Sequence, residues 1–259
     1  MPKKNKYDQL FEELMSQFSR IPNFSESYKD PKGKSIHDFI TTRMVEIGSF
    51  KALFLNYYLP AAAKSVVDDK REYEKSKYKG IINISTEDFK ENLYETIRLG
   101  YIGMFHKYES FIDELIEKSE LLIEGTHESS ESLTEFTKKH FNYKIKDWRN
   151  SLTIHRINWI CICNKHYDGY PRKSPKPSEF EHLHENDKIK LSKQDFKNDI
   201  NLLLQHYKMT LTLVIMLAIY KMFFEDETFS NEEVGPDILE SQKELKEKLE
   251  KMITAVKKC

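Results

Sequence analysis

The sequence predicts an all-α fold, a helical bundle with a long central helix pair. Three observations carry this expectation. Apolar residues recur at three- and four-residue steps over long stretches. Gly and Pro number only 8 each, too few for a turn-rich β protein. Charged residues make up 32% of the chain against 39% hydrophobic, the balance of helices with one buried and one solvated face. At 259 residues the chain is long enough for one sizeable core or for a core with an appendage.

Tyr7, Leu10, Phe11, Leu14 and Phe18 predict a short amphipathic helix over 6–19. Pro22 to Gly33 reads as a polar loop. Ser35 is placed to cap a helix from Ile36 to about Leu59, with a break or kink at Pro60. The span 61–79 is charged and expected to be solvated. Ile81 to Ile84 suits either a strand fragment or the approach to a helix. Ser85-Thr86-Glu87-Asp88 is a strong helix start, its acids favoured by the positive end of the helix dipole.

From Phe89 the pattern of Leu93, Ile97, Tyr101, Phe105, Tyr108, Ile112, Leu115 and Leu122 predicts the clearest helix of the chain, ending near Gly125. Gly100 and Gly103 inside it predict a notch against which another helix packs closely. A loop over 126–132 and a short helix within 133–145 follow. Asp168 to Asp187 holds Gly169, Pro171, Pro175 and Pro177 and reads as an insertion or surface loop. Ser192-Lys193-Gln194-Asp195 opens the next helix. Its apolar run from Leu211 to Phe224 is flanked by Lys208 and Lys221 and is shorter than the roughly 20 residues of a membrane span. A buried helix is expected there. After Gly235-Pro236 a last Lys/Glu-rich helix covers 237–257, with Leu249, Met252, Ile253 and Val256 on one side. In chain order this gives an N-terminal helical extension over 1–85, a helical domain over 86–225 carrying the insertion at 168–187, and a C-terminal helix over 226–259.

The net charge of −1, from 41 basic and 42 acidic residues, argues against a nucleic-acid coat and leaves room for a local basic patch. Three cysteines give no disulfide framework, which fits a reducing cytoplasm, and the start Met1-Pro2-Lys3-Lys4 has no apolar segment behind it. Cys161, Cys163 and His166, with His182 and His184 further on, are the metal candidates by residue type. The two cysteines lack zinc-knuckle spacing, so buried thiols and surface histidines are expected, and no metal or cofactor.

The chemistry concentrates in Asp147-Trp148-Arg149-Asn150-Ser151-Leu152-Thr153-Ile154-His155. A guanidinium holds a phosphate as a fixed cation, and an imidazole moves protons near neutral pH. The amide of Asn150 can orient either or cap a helix. Such a set suits cleavage of a phosphodiester by its own 2′-hydroxyl, which selects RNA over DNA and requires no metal. Six helical steps set Arg149 and His155 about 120° apart, so both reach one spot only if Arg149 precedes or opens the helix, or if two chains combine. The β-branched Thr153, Ile154, Ile157, Ile160 and Ile162 keep a strand open as an alternative. Glu109, near the apolar side of the long helix, is a possible supporting acid.

The pattern Arg149-Asn150-Ser151-Leu152-Thr153-Ile154-His155 resembles the motif of the HEPN superfamily (higher eukaryotes and prokaryotes nucleotide-binding domains). Its ribonuclease members carry Arg, four to six residues, then His, often with Asn after the Arg. The stretch Phe105-His106-Lys107-Tyr108-Glu109-Ser110-Phe111 is similar to the helix that packs against the motif helix, and the resemblance covers roughly 86–225. It implies a HEPN-like core and a metal-independent endoribonuclease whose site is shared by two protomers. Arg149 would bind the scissile phosphate, His155 would act as general acid or base, and Asn150 would orient substrate or His155. It further implies a toxin or effector of prokaryotic antiphage defence, restrained by an antitoxin or regulatory partner, in the cytoplasm and away from membranes. The alternative is a non-catalytic helical interaction or dimerisation module, with Arg149 in an ion pair and His155 packed in a core.

Overall fold

A computed structural model describes residues 29–123, 131–145, 152–224 and 236–258. Every regular element among them is helical, as the apolar spacing predicts. The helices are α1 (Pro31–Leu53), α2 (Leu59–Lys75), α3 (Thr86–Ile123), α4 (Leu133–Phe141), α5 (Leu152–Tyr167), α6 (Lys193–Phe224) and α7 (Pro236–Lys257). A π-helical turn, Phe54–Tyr58, joins α1 to α2, and a 3-10 turn, Ser178–Phe180, lies between α5 and α6. The helix expected over 6–19 and residues 126–130 of the expected loop lie outside the described residues.

Three helices begin with the same device. Ser85, Ser132 and Ser192 each accept the backbone N–H three residues on, while the acid there (Asp88, Glu135 or Asp195) accepts from the backbone N–H of the serine. Each such box is worth about 1 kcal/mol. α1 starts earlier than expected, at Pro31 rather than beyond Ser35. Proline suits a first helical turn because that turn has no use for its missing N–H. Pro60 does not break the chain either. The π turn widens the backbone so that Leu59 N–H reaches Phe54 O, and Pro60 falls in the first turn of α2. The segment 81–84 forms a turn rather than a strand. Tyr73 OH donates to the carbonyls of Lys79 and Ile82 there.

The chain forms two compact units. One comprises Met1–Arg43, Glu109–Leu152 and Gln205–Cys259. Its core stacks Phe39 on Phe111 at 5.8 Å and Phe111 on Tyr207 at 4.1 Å, with the Arg43–Glu114 pair at 2.7 Å beside them. Leu249 and Ile253 bury one side of α7, and Tyr220 OH donates to Glu250 at 2.8 Å. Met252, expected on the apolar side, is exposed.

The other unit comprises Met44–Tyr108 and Thr153–Leu204. Here the glycine notch is real. A Cβ on Gly100 would lie 2.6 Å from the Phe54 ring and 2.7 Å from that of Phe196. One on Gly103 would lie 3.1 Å from Phe50. Arg98, 2% exposed, donates to Glu91 at 2.5 Å, to Glu95, and to the carbonyl of Ile189 at 3.3 Å. The Pro-rich stretch is packed rather than loose: Trp159 stacks on Phe180 at 4.9 Å and donates its indole N–H to Lys173 O at 2.7 Å.

By length and composition α6 is apolar enough to cross a membrane, with mean hydropathy 1.6 over its best window. Half of that window is buried inside the protein, and the helix also buries Asp199, His206 and Thr210. Polar groups held by protein partners mark a core helix.

Candidate functional site

His155 lies in the first turn of α5 as described, and its side chain is exposed. Arg149 and Asn150, the other two members of the expected catalytic set, lie outside the described residues. Glu109 is exposed on α3. The helical form of 152–167 decides against the strand alternative for this stretch.

The residue after His155 does what sequence reasoning missed. Arg156 turns inward where His155 turns outward, as consecutive helical positions about 100° apart allow. Its Nε lies 3.1 Å from both carboxylate oxygens of Asp199, and its Nη1 donates to Glu179 at 2.7 Å. The guanidinium also sits over the Phe180 ring at 4.8 Å. Asp199 is 4% exposed and takes a further hydrogen bond from Tyr101 OH. Burial opposes the charge on Arg156, and Glu179 and Asp199 more than restore it, so the guanidinium stays firmly protonated. Burial, and then the Asp199 charge, push the Tyr101 phenol far above its ordinary value, so it remains a donor. The network clamps α5 to α3, α6 and the 3-10 turn, and so fixes the backbone that carries His155. Only a weak signal was visible in advance: Asp199 lies one turn after Asp195 on a largely apolar helix.

Beside the clamp is an open cleft of about 690 Å³, lined among others by Arg156, Glu179, Phe180, His182, Lys188 and Asp195. Its arginine and lysine side chains are each paired with an acid. Arg156 holds Glu179, Lys188 holds Asp168 at 2.9 Å, and Lys190 lies 3.5 Å from Glu87. The cleft suits a small polar molecule better than a polyphosphate chain.

Cys161 and Cys163 are both buried thiols outside any disulfide, and His166, His182 and His184 are exposed. Burial pushes the Cys163 thiol above its ordinary value, partly offset by the backbone N–H groups of Lys173 and Arg172. A protonated buried thiol is a packing residue rather than a nucleophile. Comparison of the chain with protein-family models, curated proteins and solved structures finds no match.

Proposed function

We propose that this chain is a metal-independent endoribonuclease of HEPN type. Arg149 binds the scissile phosphate, His155 transfers the proton, and Asn150 orients one or the other. Glu109 is the supporting acid of this reading. Two protomers share the site, and the chain serves as a toxin or effector in cytoplasmic antiphage defence, restrained by a regulatory partner. The observation that supports this reading is the exposure of His155 on a helix that is itself clamped through Arg156. A proton-transfer group has to be reachable by substrate and yet held on a rigid element.

The test is cleavage of RNA by the purified chain. Arg149→Ala and His155→Ala should each lower the rate by about 10²–10⁴-fold. DNA of the same sequence should remain intact, because it lacks the 2′-hydroxyl. Cleavage should continue in EDTA, and the active species should be a dimer. Unchanged cleavage and toxicity in both variants would sink the proposal and leave the interaction module.

A further inference from the structure

A second group of residues, within the unit that holds Glu109–Leu152, carries a different chemistry. Glu120 lies in the last turn of α3, Glu131 directly before the serine that caps α4, and His140 in the last turn of α4. One donor atom from each lies within 4.8 Å of the other two.

This is more than a set of acids on a solvated face. Glu120 is 3% exposed and the Glu131 side chain 8%. Glu131 faces Lys139 Nζ through Oε1 at 3.6 Å, while its other oxygen, Oε2, is buried and takes no hydrogen bond among the described residues. The same holds for Nε2 of His140. A buried polar atom without a partner is destabilising, so two of them converging on a buried carboxylate point to a common partner. A cation between them takes up both atoms and draws on the buried Glu120 carboxylate as a third donor.

The His140 imidazole is a metal ligand in its neutral form. The ring packs on Phe136 at 4.8 Å, and the His140 carbonyl accepts from Lys221 Nζ at 3.2 Å, so the end of α4 is held in place.

We propose that Glu120, Glu131 and His140 bind a divalent transition-metal ion, with Zn²⁺ as the best fit to one imidazole and two carboxylates. Donors about 2.1 Å from a tetrahedral ion stand about 3.4 Å apart, so side-chain rotations of an ångström or so close the set. The ion ties the end of α3 to α4 across the 124–130 segment. None of the three ligands belongs to the Arg149–His155 stretch, so the site stands whether or not the chain cleaves RNA.

The experiment uses the full chain, stripped with chelator and titrated with Zn²⁺, reading bound metal per chain and the melting temperature. The expected result is one tight Zn²⁺ per chain and a higher Tm, with Co²⁺ giving a spectrum free of thiolate charge-transfer bands. Glu131→Gln and His140→Gln should each weaken binding by more than 10-fold while the metal-free variants melt as the metal-free parent does. Glu131→Gln is the milder change and keeps the test decisive if the histidine variant fails to fold. Absence of Zn²⁺ binding by the folded parent, or parental affinity in Glu131→Gln, overturns the proposal.

Discussion

Arg156 Nε lies 3.1 Å from each carboxylate oxygen of Asp199, and Asp199 is 4% exposed. Deleting the cation strands a buried carboxylate, which costs far more than losing a surface pair. Arg156→Ala should therefore destabilise the protein by about 3–5 kcal/mol. Tyr101→Phe removes only one neutral donor from Asp199 and should cost about 1–3 kcal/mol. Urea midpoints check both. A change under 0.5 kcal/mol for Arg156→Ala would mean that the clamp does not hold α5.

Gly100 gives the sharpest steric prediction. An added methyl meets two aromatic rings at 2.6–2.7 Å, and both rings are already packed on each other at 4.7 Å. Neither can yield without displacing the other. Gly100→Ala should cost about 1–3 kcal/mol despite the better helix propensity of alanine. Gly103→Ala meets a single ring and should cost less. Gly80→Ala, with nothing within 4 Å of its Cβ, is the neutral control. Thermal melts of the three variants should rank in that order.

Trp159 pins the Pro-rich stretch through one hydrogen bond and one stack. Trp159→Phe keeps a ring and removes the donor to Lys173 O, a loss of about 1 kcal/mol. Because that bond is local, the change should appear first as local opening. Trypsin should cut after Arg172 and Lys173 faster in the variant than in the parent, before global unfolding. Equal cleavage rates would show that the stretch is held elsewhere.

His37 makes stability depend on pH. Burial lowers its pKa from 6.5, against a smaller opposing effect of Asp38. The folded state thus binds a proton less readily than the unfolded one. Stability is fully present above the unfolded value and is lost as pH falls from 6.5 through the folded pKa. His37→Gln should flatten the dependence in that window, read from urea midpoints at pH 7.5 and 5.5. An equal slope in parent and variant would assign the dependence to other groups.

The helices were largely readable because each rests on local signals. Apolar spacing from Phe89 onward gave α3, and Ser85 and Ser192 announced their helix starts. Gly100 read correctly as a packing notch because no turn chemistry surrounds it. The misses have local causes too. Pro60 is an obvious breaker by its chemistry, yet a π turn five residues long removes the need for its N–H. Met252 has the right helical phase, yet it is 52% exposed. At the level of the site, Arg156, Asp199 and Tyr101 come from three helices, so no spacing rule joins them. Glu120 and Glu131 look like two of many solvated acids until burial separates them from the rest. The Arg149–Asn150 part of the catalytic expectation falls outside the described residues.

The two units interleave along the chain: one is assembled from three separate stretches and the other from two. No single cut releases either of them whole. Removing residues from either end takes material from the same unit, while a break between 109 and 152 severs that unit internally. Dissection by truncation, the usual route to a minimal active fragment, is therefore closed for this protein. Point substitutions, or a permuted chain opened at a surface turn such as Gly80, are the routes by which the parts can be separated.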